Sequence, residues 1–334
     1  MGLPQLAGTA PFHWQDGDRL IHHGRGTLDE APALLPAGYT LLTTARARHG
    51  AAELVDRAAG VHDVARGPVD EVAEELRASV TAEWLVAIGG GRVIDVAKAL
   101  AAAAPPCRVA AIPSTLSGAE MTSLHRHAAG VPADTPRVRP AIVINDPALS
   151  ASQPEPALVA SALNALGHAV EAPITTRANP VATLAAHGGA RLIARAFDEA
   201  EVDRDALALG ALLAGYAAGA AGYGLHHVMS QTLARVAGVA HARANAIMLP
   251  HTTRALAGRF PEPIAQLEAS MDEDAESVAA RLAARAGSVR LRDRGVPAET
   301  LAQCADAALA RPELARTPPA ADRAELLALY EAAW

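Results

Sequence analysis

A short apolar run that ends in three glycines and continues into a helical repeat restricts the fold of this chain more than any other segment. The run EWLVAIGGG covers residues 83–91, and RVIDVAKAL continues it to residue 100. Such a pattern is typical of a parallel α/β sheet, where the first N–H groups of the helix and its positive dipole end attract an anion. Gly89, Gly90 and Gly91 are therefore predicted to contact the pyrophosphate of a dinucleotide, and Asp95 to hold the loop. A tight turn without a ligand is the alternative.

The first 150 residues alternate β-rich runs with amphipathic ones. This alternation predicts a doubly wound parallel sheet with helices on both faces. A short hairpin that turns at Asp16-Gly17 is expected to precede the sheet. We therefore assign residues 1–150 to an α/β dinucleotide-binding domain, whose predicted strands lie within residues 39–44, 61–65, 83–91, 108–114 and 139–146.

From Pro154 onward the β-branched runs disappear and helical periodicity continues almost to the end of the chain. Residues 151–334 are therefore predicted to form an all-helical domain that carries the substrate or metal site. The fold class is α/β plus all-α. Breaks between the helices are predicted at Pro180, Gly222–Gly224, Pro250 and Pro261.

Composition narrows the class of partner. The formal net charge of -7 argues against binding to nucleic acid or to a membrane surface, because both require a positive field. A small-molecule substrate is expected instead. The two cysteines, Cys107 and Cys304, have no metal-type spacing. No secretion signal or membrane span is recognised either, so we expect a cytoplasmic protein. Lys98 is the single lysine of the chain.

Two further segments are candidates for cofactor contacts. The loop IPSTLSGAEMT at 112–122 offers Ser114, Thr115 and Ser117, whose hydroxyls suit a ribose or a nicotinamide carboxamide. At the end of an early strand, LLTTARAR has Thr44 and Arg46 but no acid to accept from the 2′-hydroxyl of an adenine ribose. NAD(H) and NADP(H) both remain open, since Arg46 is either a partner for a 2′-phosphate or a solvated helix residue.

The helical half carries a group of histidines and amides. Asn164 and His168 are four residues apart, hence on one helix face, and Glu171 lies one turn further on. Imidazoles on separate helices are candidates for one metal ion or one substrate carboxylate, although a lone histidine is more often an ordinary polar residue. The further candidates are His226, His227, Gln231, His241, Asn245 and His251.

Several of these segments resemble the iron-containing alcohol dehydrogenase superfamily, which has a dehydroquinate synthase-like fold, and in particular its maleylacetate reductase-like branch. The matching segments are GGGRVIDVAKA, PSTLSGAEMT, NALGHAVEA, GLHHVMSQTL and VAHARANAIMLPH. In metal-using members an aspartate and three histidines bind the ion, and these positions fall on Asn164, His168, His227 and His241. Because asparagine is a much weaker ligand than a carboxylate, the resemblance implies a metal-independent enzyme.

The resemblance also implies an NAD(P)H-dependent reductase, a homodimer, that transfers a hydride to a conjugated enone or carbonyl of a small, carboxylate-bearing substrate. His227 and His241 would stabilise the developing oxyanion or give the proton, with His168 beside them. The substrate contacts would come from His226, Gln231, Arg243 and Asn164.

Three departures from the family pattern affect which substrate we expect. Gln231 and Asn245 stand where relatives usually have histidines, and the stretch 123–140 has no lysine, so His125, Arg126 or Arg137 are its candidate substitutes. They suggest a substrate other than maleylacetate itself. The alternatives are an iron- or zinc-dependent alcohol or aldehyde dehydrogenase, and a family member that has lost redox chemistry and uses its site for binding or a cofactor-free reaction.

Overall fold

The computed structural model describes residues 10–287 and 289–334, apart from the side chain of Ser152. These residues form two compact units, the first ending at Ser152 and the second beginning at Gln153. The first contains one seven-stranded sheet, in the order β1-β2-β7-β6-β5-β3-β4. Its strands are β1 Phe12–Asp16, β2 Arg19–His23, β3 Thr40–Thr43, β4 Gly60–Asp63, β5 Trp84–Gly89, β6 Arg108–Pro113 and β7 Ile142–Asn145.

All neighbouring strands of this sheet run parallel except β1, which forms an antiparallel hairpin with β2. The predicted hairpin and parallel strands are thus confirmed. Between the strands lie the helices α1 Thr27–Leu34, α2 Ala45–Arg48, α3 Ala52–Asp56, α4 Val69–Arg77 and α5 Gly91–Ala103, with 3₁₀ turns at Ala119–Met121 and Pro147–Ser152.

Alternate side chains of β5 enter two separate hydrophobic clusters. Leu85 and Ala87 pack with residues of α4 and α5, such as Val72. Val86 and Ile88 belong to a second cluster with residues of α1 and α3. Because both faces of the strand are covered, β5 is apolar throughout, as expected for the centre of a doubly wound sheet.

The second unit is helical, and its described residues contain no strand, as predicted. Its helices are α6 Glu155–Glu171, α7 Pro180–Arg195, α8 Arg204–Ala221, α9 Leu225–Val236, α10 His241–Arg259, α11 Pro261–Met271, α12 Ala275–Arg285, α13 Thr300–Leu309 and α14 Arg323–Ala333; 3₁₀ turns lie at Ala172–Ile174, Arg292–Arg294 and Pro312–Arg316.

The prolines of this unit have two different effects. Pro180 and Pro261 are the first residues of α7 and α11, as the break signals predicted. The break predicted at Pro250 is wrong, because α10 continues through it to Arg259. Ile247, Met248 and Leu249 are almost completely buried there. Their packing offsets the cost of about 3 kcal/mol that an interior proline imposes on a helix.

One segment of this unit, Glu155–Ile174, is long and apolar enough to cross a membrane by composition alone, and the bent pair of α8 and α9 passes the same test if counted as one span. In Glu155–Ile174, however, 89% of the apolar window is buried within the protein. A core helix has this property, so the test gives little weight to a membrane location.

Candidate active site

The glycine loop of the first unit presents an open helix start. Gly89 ends β5 with φ of 157°, a backbone conformation that L side chains rarely adopt. Gly90 is the N-cap residue of α5 and provides no side-chain cap. The first N–H groups of a helix have no intrahelical acceptor. The start of α5 therefore offers donors and a positive dipole end to a bound anion.

The loop after β6 lies directly against this helix start. A Cβ atom built on Gly91 would be 2.8 Å from Cβ of Ser117, and one on Gly90 would be 3.2 Å from Cγ2 of Thr115. The amide of Ser114 donates to the carbonyl of Gly89 at 2.9 Å. The structure thus brings both predicted cofactor loops together at one edge of the sheet. They form a cradle that side chains in place of the glycines would fill, and this arrangement fits a dinucleotide.

Thr44, the remaining predicted cofactor contact, follows β3, the neighbour of β5. It is the N-cap of α2, and its hydroxyl accepts from the amide of Ala47 at 3.3 Å. Arg46 is exposed in the same short helix. This segment brings a hydroxyl and a cation, but no carboxylate, to the end of β3.

Lys98 connects α5 to the second cofactor loop, a role that was not predicted. Its fully buried ammonium donates to the carbonyls of Ala119, Thr122 and Leu124 at 2.9, 3.2 and 3.1 Å. It also lies 2.7 Å from the carboxylate of Asp95. Burial raises the pKa of Asp95, whereas the Lys98 charge lowers it. Asp95 therefore acts on the loop through Lys98, and the presence of a single lysine in the chain was the available signal.

The candidate substitutes for the missing lysine are occupied by local structure. Nε2 of His125 accepts from the amide of Val138 at 3.1 Å, so Nδ1 carries the proton and donates to the carbonyl of Arg126 at 2.8 Å. Burial lowers the pKa of His125 to about 4. Arg126 pairs with Asp70, and Arg137 donates to the carbonyl of His125. His125 is thus a neutral residue at physiological pH and does not replace a lysine.

In the second unit, a buried carboxylate organises the start of α9. Glu171, at the end of α6, is fully buried and accepts from the amides of Gly224, His226 and His227. Its Oε2 lies 2.6 Å from Nδ1 of His227. With four N–H donors around it, the carboxylate is best satisfied as an anion, although burial raises its pKa. His227 Nδ1 then carries a proton, and Nε2 has a lone pair.

His227 is surrounded by other site residues. Its ring stacks on that of His168 with centroids 4.0 Å apart and planes 7° apart. On the same helix as His168, the Asn164 amide nitrogen lies 3.5 Å from His168 Nε2. Burial and the neighbouring His241 lower the pKa of His227 to about 3. Its Nε2 is buried and has no hydrogen-bond partner among the described residues, so this atom is free to contact a ligand.

His226, unlike His227, is not suited to contact a substrate carboxylate. Its Nδ1 lies 2.8 Å from the hydroxyl of Thr252, which itself donates to the carbonyl of Met248. Nδ1 is therefore the protonated nitrogen. Burial, followed by the charge of His227, lowers the pKa of His226 to about 3. A neutral ring that lacks a proton on Nε2 does not suit the carboxylate contact predicted for it.

The predicted metal positions do not form a compact donor set. His241 begins α10, and its Nε2 lies 3.2 Å from the amide nitrogen of Asn245. Within residues 10–287 and 289–334, the only three His, Cys, Asp or Glu side chains with donor atoms within 4.8 Å of one another are at another location, described below. The remaining predicted position, Asn164, supplies no charge. This donor set is a poor fit for a divalent ion.

A cationic group near His227 was missed by sequence reasoning. The ring of Tyr223 lies 5.6 Å from that of His227, and its hydroxyl is 3.4 Å from Oε1 of Gln231. Arg311 donates to both residues, at 3.3 and 3.1 Å, and pairs with Glu313 at 3.1 Å. Gln231 thus positions a guanidinium, whereas the predicted contact Arg243 is half-buried in the first turn of α10.

Comparison with known proteins agrees with this architecture. The family model for the Fe-containing alcohol dehydrogenase family, C-terminal, matches residues 158–334, and the model for iron-containing alcohol dehydrogenase matches residues 20–147. Maleylacetate reductase 1 of Rhodococcus opacus is 35% identical over 271 residues, which are 78% of this chain and 75% of that protein.

Two solved structures extend the similarity over nearly the whole chain. Maleylacetate reductase from Agrobacterium tumefaciens has a TM-score of 0.80 at 29% identity, covering 97% of each chain. Iron-containing alcohol dehydrogenase from Corynebacterium glutamicum has a TM-score of 0.83 at 29% identity, covering 97% of this chain and 96% of the other. The chain belongs to the iron-containing alcohol dehydrogenase family, in its maleylacetate reductase-like branch, and is an NAD(P)H-dependent oxidoreductase.

Proposed function

We propose that this enzyme is a metal-independent reductase that transfers a hydride from NADH or NADPH to a conjugated enone or carbonyl of a small, carboxylate-bearing substrate. The observation that carries the proposal is the uncapped glycine start of α5, which lies against the hydroxyl-bearing loop after β6. When bound, the nicotinamide supplies the hydride. Gly89, Gly90 and Gly91 would take the pyrophosphate, with Ser114, Thr115, Ser117 and Thr44 as further contacts.

The histidines of the second unit would manage the charge that develops on the substrate oxygen. His227 Nε2 is the buried acceptor atom without a partner, and Glu171 fixes the orientation of its ring. With its pKa lowered to about 3, His227 carries only the Nδ1 proton that Glu171 holds, and its Nε2 has no proton to give at neutral pH in the ligand-free site. A negatively charged substrate next to the ring would raise this pKa, so His227 would become a proton donor when such a substrate is bound.

Arg311 would bind a substrate carboxylate, in place of His226. Its guanidinium is held by Glu313 and Gln231 and extends towards the Tyr223 hydroxyl. One of its nitrogens, Nη1, is buried and has no acceptor among the described residues. A buried guanidinium nitrogen is stabilised by an anionic acceptor. Gln231, where relatives usually have a histidine, would therefore tune specificity by orienting Arg311.

The chemistry of the side chains supports the metal-independent form of the proposal over the alcohol or aldehyde dehydrogenase alternative. Asn164 is neutral, and the carboxylate of Glu171 is already occupied by backbone and imidazole N–H groups. A divalent ion would have no anionic ligand from these residues. The homodimer and the cytoplasmic location stay predictions.

The first test is a titration of chelator-treated protein with NADH and NADPH, followed by nicotinamide fluorescence and thermal shift. Because a ligand that binds only the folded state stabilises it by mass action, saturable binding must raise the melting temperature. We expect binding without metal, and then turnover of unsaturated keto acids. If neither cofactor binds, the reductase proposal fails and the alternative without redox chemistry gains. If turnover appears only after Fe²⁺ or Zn²⁺ is added, metal independence fails.

A further inference from the structure

A group of three potential metal ligands lies in the first unit, on the terminal hairpin of the sheet. His13 of β1 and His22 of β2 face each other as direct cross-strand partners. Their Nδ1 atoms are 2.5 Å apart. Oε2 of Glu30, from helix α1, lies 3.6 Å from Nδ1 of His22. All three donor atoms lie within 4.8 Å of one another.

The two Nδ1 atoms face each other closely enough to share one proton, with one ring as donor and the other as acceptor. A metal ion bound by both lone pairs would take the place of that proton. With Zn–N bonds of about 2.0–2.1 Å and tetrahedral angles, the nitrogens would be about 3.3 Å apart. To reach that distance the two nitrogens must move apart by less than about 1 Å. His13 is exposed on the edge strand, so its side chain can make this movement without a change in the core.

The chemistry of these donors selects the class of ion. Two imidazole nitrogens and one carboxylate oxygen form a donor set that suits Zn²⁺. Ca²⁺ and Mg²⁺ prefer ligand sets made of oxygen atoms, so this group would not select them. His22 is buried, so its ring is held in place beside His13 and Glu30. Glu30 is exposed and provides the negative charge.

We propose that His13, His22 and Glu30 form a Zn²⁺ site that clips the β1–β2 hairpin to helix α1. The three side chains come from two strands and one helix, so one ion would join elements whose sequence positions differ by up to 17 residues. A fourth coordination position would be left to water. The site lies in a different unit from Glu171 and His227 and takes no part in the proposed reduction.

Zinc binding to the full chain tests this proposal. After removal of metal with chelator, Zn²⁺ is titrated by calorimetry into the wild type and into His13→Ala, Glu30→Gln and His49→Ala. His49 is an exposed histidine of the same unit outside the group, so its variant is the matched control. We expect at least a 10-fold loss of affinity for one Zn²⁺ in His13→Ala and Glu30→Gln, because even outer-sphere changes cost about 10- to 100-fold. The control should bind like the wild type.

A second readout locates the ion and does not depend on activity. Diethylpyrocarbonate modifies exposed histidines, and the modified positions are mapped by mass spectrometry. Zn²⁺ should protect His13 but not His49. His227→Ala removes the candidate ligand atom of the second unit, and protection of His13 should survive in this variant. The proposal is overturned if the wild type binds no Zn²⁺, if His13→Ala binds it as the wild type does, or if His13 stays fully reactive in its presence.

Discussion

Replacement of Lys98 by methionine removes the connection between α5 and the second cofactor loop while keeping an unbranched side chain of similar length. The ammonium makes three hydrogen bonds to buried carbonyls and an ion pair with Asp95. All three carbonyls belong to residues 119–124, so the variant leaves them unsatisfied and leaves Asp95 without its partner. Among these contacts, the Lys98 ammonium is the only charged group that joins the loop to the helix, and the variant removes it.

The expected magnitude follows from what remains buried. Loss of one member of a fully buried ion pair costs about 3–5 kcal/mol; here the cost of the pair itself is smaller, because the Asp95 side chain is 28% exposed and water stabilises the carboxylate that is left. Each lost hydrogen bond from a charged donor is worth about 1.5–3 kcal/mol, but water that enters the loop regains part of this. We therefore expect Lys98→Met to lower the free energy of unfolding by about 3–5 kcal/mol, and to raise KM for NADH because Ser114 and Ser117 lose their support.

Urea unfolding followed by circular dichroism measures the stability change. Asp95→Asn is the matched variant, since it removes the carboxylate but keeps the three carbonyl contacts, and should cost less. The double variant should cost less than the sum of the single variants. A loss below about 1 kcal/mol for Lys98→Met, or strict additivity with Asp95→Asn, would refute the reasoning. In the native wild type, an amine-reactive reagent should not label this single, fully buried lysine.

Three further variants test other parts of the structure. Gly91→Ala should lower kcat/KM for NAD(P)H roughly 10- to 100-fold, because its Cβ would be 2.8 Å from the neighbouring loop; Gly258→Ala, with open space around it, should change nothing. Burial raises the pKa of Glu120 to about 7, so the folded state keeps a proton on this side chain that the unfolded state has released. This proton stabilises the folded state at low pH, and its contribution to the free energy of unfolding is lost as pH rises through 7. Between pH 5 and pH 8 the wild type should lose about 2.5 kcal/mol more than Glu120→Gln in urea unfolding, and equal slopes would contradict this. Arg311→Met should raise KM for a carboxylate substrate about 10-fold or more but leave KM for its methyl ester unchanged, with Arg323→Met as the exposed control; an equal loss on both substrates would contradict carboxylate recognition.

Periodicity and turn residues were sufficient to predict the strands, because a buried parallel strand must be apolar on both faces. The strand at Trp84–Gly89 shows this: its two faces enter two different clusters. Helix α1 was not predicted because its local signals conflict. It contains Pro32, and its N-cap, Gly26, has no side-chain cap. Pro250 shows the opposite case, where a strong local breaker yields to tertiary packing.

The sequence identified candidate site residues but not their interactions. The partner carbonyls of Lys98 lie 21 to 26 residues away, and Arg311 meets Gln231 across 80 residues. No periodicity encodes such contacts. The role of His226 illustrates the same limit: adjacent histidines look equivalent as letters, yet one ring bonds to Thr252 and the other to Glu171.

The charge of the second-unit site leads to a requirement for the substrate. Glu171 is an anion satisfied by N–H donors, and desolvation holds His226 and His227 neutral at physiological pH. Because Glu171 is already engaged by four N–H groups, the site has no imidazolium to give a proton until a second negative charge enters it. A carboxylate bound near Arg311 would bring that charge, and it would raise the pKa of His227 by direct attraction. Substrate binding and proton supply would then be the same event, so neutral ketones should bind without being reduced efficiently at pH 7.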